Sequence, residues 1–532
     1  MLRCLIAVLA ITGCSTDPER PPPLGPLPEP AAAETTRFRD DGACAQCHLV
    51  PDGASPLHDA AGHNVSPVLL WRSSMMALAA RDPYYLAVFA EERARDPGHV
   101  QEIDTLCSRC HAPAGSEERA ETGQHLSFDD LTSSADPAAV LGRGGVTCTV
   151  CHQIAPGNLG EERSFSGGFQ IGYQRQLFGR YLNPVSEPMK LIVNFTPTSG
   201  AQIAESSLCG TCHTVIVPGP KGEVVEQATY LEWRSSKYPA LGRTCQACHV
   251  PTTDETGAPI TVLAISGTPA NLGARTPFGR HTFVGGNSYM LRLLADAPTW
   301  AGTGVSTDEL LASAMRDEAH LGEAARVERT MSDRAVDVDQ LRFPDLDLGV
   351  AGDRVAMRLR REHLAAAIDD RAPSVHTTRF EHHGSADLET HVQPHPTRGI
   401  AGRQLVAGEV RHPQRELTRV MCRELDARRY GKDDRLLPAG FAPTGSDRTR
   451  TEPSGPELDA TFLPGSDQLV FEPPGGIPVG ARLHVELLYE ALAPEIVDAI
   501  EEAATSAGSR FVDLARARPV TPVVMTTLEM DL

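Results

Sequence analysis

The apolar positions of this 532-residue chain change their rhythm along its length. Residues 1–14 carry one basic residue and a short apolar run, too short to span a bilayer as a mature helix. From 17 to 36 there is no apolar periodicity. A proline-rich stretch, centred on Pro-Pro-Pro-Leu-Gly-Pro-Leu-Pro-Glu-Pro, instead predicts an extended, semi-rigid tether over 15–37. Further on, Ser66-Pro67 supplies an N-cap and a first-turn proline for a helix to about Ala80, and Asp82-Pro83 opens a second. A helical pattern from about Asp308 to Met331 predicts a connector over 301–345. Beyond it apolar residues alternate at Val355–Leu359, Gln468–Phe471, Leu483–Tyr489 and Val523–Leu528, as half-buried strands do, with a short helix from about Pro494 to Ala504. The expected class is α+β: a mostly helical and loop body over 38–300, then a β-sandwich-like domain with few helices over 346–532.

Ten of the thirteen cysteines fall into five copies of Cys-x-x-Cys-His. They are Cys44/Cys47/His48, Cys107/Cys110/His111, Cys148/Cys151/His152, Cys209/Cys212/His213 and Cys245/Cys248/His249. This is the attachment signature of c-type haem. Two thiols three residues apart can bond the two vinyl groups of one porphyrin, and the next side chain then reaches the iron. Structural zinc or a thioredoxin-like redox pair also uses Cys-x-x-Cys, but neither requires a histidine after every second cysteine. Five covalent haems on so little polypeptide must themselves supply much of the apolar interior, so an apo form should be largely unfolded.

Charge narrows the partners. Lys and Arg total 49 against 69 Asp and Glu, a formal net charge of −20, which argues against nucleic acid and an anionic membrane surface. It suits a basic redox partner protein; the pattern leaves the oligomeric state open. Ile11-Thr12-Gly13-Cys14 resembles a bacterial lipoprotein signal box, which would lipidate Cys14, discard Cys4 and anchor the protein in a membrane. An ordinary secretory signal is the alternative, and both imply export. Ser15 after Cys14 matches the lipoprotein pattern sent to the outer membrane, facing the periplasm or cell surface.

With these motifs in place, the chain resembles a family of bacterial multihaem c-type cytochromes related to the tetrahaem electron carrier of nitrifying bacteria. The likeness rests on Leu106-Cys-Ser-Arg-Cys-His-Ala-Pro-Ala-Gly115, Gly145-Val-Thr-Cys-Thr-Val-Cys-His152, Leu208-Cys-Gly-Thr-Cys-His-Thr-Val215, Tyr230-Leu-Glu-Trp-Arg-Ser-Ser236, Thr244-Cys-Gln-Ala-Cys-His-Val-Pro251 and His281-Thr-Phe-Val-Gly-Gly-Asn287. It covers 44 to about 290 well; Arg435–Phe441 and the stretch from Leu483 to Ala504 look like the family's C-terminal domain. The family's Gly-His-Lys-Leu/Phe-Pro-Thr segment is missing. Residues 360–425 are instead rich in His, Arg and Pro, which leaves open a divergent loop or a compensated shift of reading frame.

Each motif histidine supplies one axial ligand, and the opposite ligand decides whether a haem carries electrons or binds substrate. His281 is the leading second ligand: the resemblance places one there, and Gly285-Gly286 lets backbone approach the porphyrin. The tetrapeptide Trp-Arg-Ser-Ser occurs at 71–74 and again at 233–236. Where the family has histidine two residues after the second of these serines, this chain has Met76 in one copy and Tyr238 in the other. Met76, or Met75 beside it, is a candidate thioether ligand, against plain core packing. Tyr238 would leave the haem it faces weakly ligated. His58, His63, His99, His125 and Met189 are lesser candidates. The histidines from His376 to His412 could add a ligand but fit a surface segment better, and Cys422 needs no function.

Two functions compete. The leading one is an electron-transfer protein, passing electrons through five haems to or from a periplasmic, membrane or extracellular partner. The other is a multihaem reductase of a small nitrogen or sulfur oxyanion at a weakly ligated haem. The pentahaem nitrite reductases use a Cys-x-x-Cys-Lys motif, which this chain lacks. A third, non-redox possibility makes the C-terminal domain a binding module.

Overall fold

The computed structural model describes residues 20–324 apart from 54–55, 220–221, 261–262 and 270–271. Beyond these it describes 326–327, 330–331, 336–342, 354–362, 403–406, 429–433, 437–452, 464, 466–471, 482–492 and 494–531. The protein is α+β, with many short helices and small sheets. The expected signal segment with Cys14, the histidines from His376 to His412, and Cys422 lie outside the described residues. No helix among the described residues is long and apolar enough to cross a membrane.

Two helices form the wall between two apolar cores. Pro83–Arg95 starts where the Asp82 carboxylate accepts the Tyr84 N–H at 2.8 Å, a side-chain N-cap. It sends Tyr85, Leu86 and Phe89 into a core with Trp71, Ile103, Leu126, Leu131, Trp300 and Leu310. Its Ala87, Tyr84 and Val88 pack into the other core, with Val485, Leu487, Tyr489, Ile496 and Phe511. Ser288–Asp296 divides its face the same way, giving Leu291 and Leu294 to the first core and Tyr289, Met290 and Leu293 to the second. Each fully buried Leu or Phe contributes about 1.5–3 kcal/mol, so these walls bind the C-terminal region to the body.

The expected helix from Ser66 to Ala80 is interrupted. It forms as Pro67–Arg72 and Met75–Leu78, because the Ser74 hydroxyl donates to the Trp71 carbonyl at 2.7 Å and caps the second piece by accepting the Ala77 N–H. Ser66 does not cap either. Its hydroxyl donates to Asn64 Oδ1 at 2.6 Å and accepts the Val50 N–H at 3.1 Å. Among the described residues, the expected helical connector is helical over Thr307–Ala324 and then becomes strand at Arg326–Val327, Thr330–Met331 and Val336–Arg342, the last paired antiparallel with Ser466–Phe471.

In the C-terminal region Arg482–Glu490 lies between Arg354–Glu362 and Val523–Asp531, antiparallel to both, with Val485 opposite Leu359 and Leu528. Pro494–Glu502 forms the short helix expected there. Besides Gly445–Thr451, the region holds a further helix, Ser506–Ala517. Gly508 and Ser509 hide it from propensity, but Thr505 caps it through the Gly508 N–H at 2.9 Å, and fully buried Phe511 and Val512 hold it. The described part of the proline-rich stretch is also no free tether. Leu24 donates its N–H to the Ser506 carbonyl at 2.8 Å and accepts the Trp300 indole at 3.0 Å, and Leu27 is buried beside Trp300. Two leucines among the prolines provide the apolar contact that straps the segment down.

Candidate functional site

The five motifs sit on or at the ends of short helices: Gly42–His48, Val100–His111, Cys148–Cys151, Ser206–Gly210 and Cys245–His249. One helical turn brings residues three apart onto one face, which aims both thiols of each motif the same way. None of the ten motif cysteines is in a disulfide, and all are half-buried.

Four of the five motif imidazoles engage a backbone carbonyl through Nδ1. His48 meets Ile265 O at 2.8 Å, His111 meets Ala79 O at 3.3 Å, His152 meets Phe178 O at 2.6 Å and His249 meets Val284 O at 2.6 Å. A carbonyl only accepts, so Nδ1 carries the proton and Nε2 keeps its lone pair. That is the tautomer a metal-binding histidine needs, with its outer nitrogen fixed by a hydrogen bond. In His213 the partner is the Gln227 side-chain amide at 3.4 Å. Turned over, that amide would present its oxygen to the same nitrogen. Burial lowers the basicity of His48, His111 and His152, and takes His213 down to about 4 with help from His249 and His111. These rings are neutral at neutral pH. Tyr85 lies flat on the His111 ring, centroids 4.0 Å apart at 4°.

Motifs meet in pairs. The ligand atoms of Cys44, Cys148 and Asp41 lie within 4.8 Å of one another, and Asp41 accepts the Cys148 N–H at 3.1 Å. A structural zinc would gather both cysteines of a motif; here one comes from the first and one from the third, so two motifs stand side by side. The Cys110 thiol likewise hydrogen-bonds Cys212, raising its pKa ahead of burial, and joins the second motif to the fourth.

His281 is half-buried, with its ring centroid 6.3 Å from that of His152 and the planes 23° apart; its Nδ1 engages Gly279 O at 3.0 Å. An imidazole nitrogen binds a metal at about 2 Å, so two rings sharing one metal stand about 6 Å centre to centre. A second histidine pair was not anticipated from the sequence: His320, on Thr307–Ala324, has its ring centroid 5.5 Å from that of His249. Burial, then His249, lowers the His320 pKa to about 4.

The other candidates stand apart. Met75 packs into both cores, while Met76 is half-buried. His58 Nδ1 engages Pro56 O, exposed His63 sits against Asp59, and exposed His99 sits against Asp96, whose hydrogen bond raises its pKa. His125 directs Nε2 to Asp104 at 3.1 Å, and Met189 is half-buried on Glu187–Val193.

The Trp-Arg-Ser-Ser echo is a structural repeat. Trp71 donates its indole N–H to Val146 O and Trp233 to Arg243 O, each two residues ahead of a motif cysteine. The Val146 N–H donates to Met76 O and the Arg243 N–H to Tyr238 O, both at 3.0 Å. Gly145 and Gly242 precede these residues with φ of +67°. At Gly145 a Cβ would lie 2.5 Å from Ala77 O, so only glycine fits. Met76 and buried Tyr238 therefore occupy equivalent positions relative to Cys148 and Cys245.

No protein-family model matches the sequence, and no curated protein matches it. Among solved structures, the chain is similar to a penta-haem cytochrome c552 from Thermochromatium tepidum, at 16% identity and a TM-score of 0.47, covering 93% of this chain and 99% of that one.

Proposed function

We propose that the chain is a multihaem c-type cytochrome that carries electrons through five covalent haems. One haem is assigned to each cysteine pair, with His48, His111, His152, His213 and His249 as first axial ligands and His281 as the second ligand opposite His152. The observation that carries this reading is the set of motif imidazoles: four hold the proton on Nδ1 against a carbonyl, which leaves Nε2 as the lone-pair nitrogen, beside a pair of cysteines that form no disulfide. When bound, haem supplies a one-electron iron couple. The protein's part is to hold the imidazoles in fixed orientation and to bring attachment sites together, the first beside the third and the second beside the fourth. The protein is exported, anchored through a lipid on Cys14 at the outer membrane, and its −20 charge suits a basic redox partner.

Haem quantification and intact mass of the purified protein test this. Five haems are expected, each double cysteine-to-alanine variant of one motif should carry four, and voltammetry should give reversible waves. A protein without covalent haem would overturn it. A second reading, reduction of a small nitrogen or sulfur oxyanion, draws on the exchange of Met76 for Tyr238 at equivalent positions, since a phenol is a poor substitute for a thioether ligand. Catalytic current with nitrite, hydroxylamine or tetrathionate would favour it over the carrier.

A further inference from the structure

A single peptide group links His249 to Asp317, which stands about one helical turn from His320. The His249 imidazole donates from Nδ1 to the carbonyl of Val284 at 2.6 Å. The N–H of the same peptide unit, belonging to Gly285, donates to Asp317 Oδ1 at 2.9 Å. The C=O and N–H of a trans peptide point in opposite directions, so His249 and Asp317 grip the two ends of one rigid plate. Asp317 is buried on Thr307–Ala324, and His320 follows it by about one helical turn, on the same face. The His320 ring stands 5.5 Å from the His249 ring, centre to centre, with the planes 63° apart.

The helix that carries His320 is firmly held. Leu321, next to His320, is buried in the core with Leu293 and Met525, and Glu318 pairs with Arg292 through both carboxylate oxygens at 2.9 Å. Two nitrogens at about 2 Å from one metal put their ring centres about 6 Å apart, so the observed separation suits one iron between the pair. A plain edge-to-face contact of two rings would explain the distance. It would not explain why one peptide plate and a buried carboxylate fix both partners.

We propose that His320 is the second axial ligand of the haem attached at Cys245 and Cys248, opposite His249, with Asp317 as a positioning residue acting through the Val284–Gly285 peptide. This rests on the multihaem reading above. The haem at the fifth motif is then six-coordinate through two imidazoles and serves as a relay, with no open face for substrate.

The test compares spin state and potentials of the five-haem protein with those of His320→Ala, His320→Met, Asp317→Ala and Asp317→Asn, after haem counting. A wild type that lacks five haems defeats the multihaem reading itself, whatever the variants do. With five haems present, His320→Ala should turn one haem in five from low to high spin, and added imidazole should restore it. His320→Met should keep that haem six-coordinate, add a thioether-to-iron band and raise one potential of the five. Asp317→Asn, which keeps an oxygen for the Gly285 N–H, should match wild type, whereas Asp317→Ala should give a mixed-spin fifth haem. Five low-spin haems in His320→Ala overturn the proposal. Should that variant fail to assemble, His320→Met decides: unchanged potentials and no thioether band overturn it equally.

Discussion

The indole N–H of Trp71 donates to the backbone carbonyl of Val146 at 3.0 Å, two residues ahead of Cys148. Trp233 repeats the contact with Arg243, ahead of Cys245, at a more exposed place. Trp71→Phe leaves the half-buried Val146 carbonyl without this partner and should cost about 1–3 kcal/mol. Trp233→Phe should cost less, because water replaces the lost donor. Thermal melts of the two variants, read by haem absorbance, check the order; equal losses would contradict it.

Phe511 reaches across from the C-terminal region to Tyr84, ring centroids 5.5 Å apart, and is fully buried. Phe511→Ala should destabilise the whole protein by about 3–5 kcal/mol. Because the core it fills also holds Ala87, Met290 and Leu293, far-UV dichroism and haem absorbance should fall together at the lower temperature. Two separated transitions, with the haem signal unmoved, would show instead that the C-terminal region unfolds on its own.

Arg450 is buried on Gly445–Thr451 and donates to Glu162 at 2.8 Å and to Glu223 at 2.9 Å, while Asp447 of the same helix pairs with Arg234. These contacts latch residues 445–451 to the hairpin Val215–Gly219/Gly222–Gln227, to the turn Glu162–Ser164 and to the helix Thr229–Arg234. Arg450→Ala should release the latch at a cost of about 1–3 kcal/mol. Hydrogen exchange should rise within 445–451 and leave Pro83–Arg95 unchanged.

Asp82 shows how burial sets a pH response. Burial pushes its carboxyl from 3.8 up to about 6, against the Tyr84 and Tyr85 N–H groups that favour the anion. A raised acid binds its proton more tightly in the folded state, so its contribution to stability is full below pH 3.8 and is lost as pH rises to about 6. Asp82→Asn keeps the capping oxygen without the charge. Its stability relative to wild type should climb by about 1–3 kcal/mol between pH 4 and 7. A difference that stays level with pH across melts in that range would refute this.

The five motifs were legible because each is local. Cys-x-x-Cys-His does its chemistry within about one helical turn, so spacing alone identifies ten cysteines and five histidines, and alternating Leu483–Tyr489 and Val523–Leu528 announce paired strands. Part of the repeat was legible too, in the twin Trp-Arg-Ser-Ser segments, since a recurring local contact leaves a recurring local sequence. What lies opposite each imidazole was decided by packing between distant segments. His320 sits in a helix whose pattern signals only an amphipathic face, and nothing near it in sequence points to His249. The peptide of Val284–Gly285 and the carboxylate of Asp317 bring them together. Ser506–Ala517 likewise forms against weak propensity because Phe511 and Val512 find a core to fill. The proline-rich segment is strapped down because Leu24 and Leu27 meet Trp300. A spacing rule acts along the chain and can be read from it; a ligand pair depends on which surfaces bury one another, and that is settled only in the folded protein.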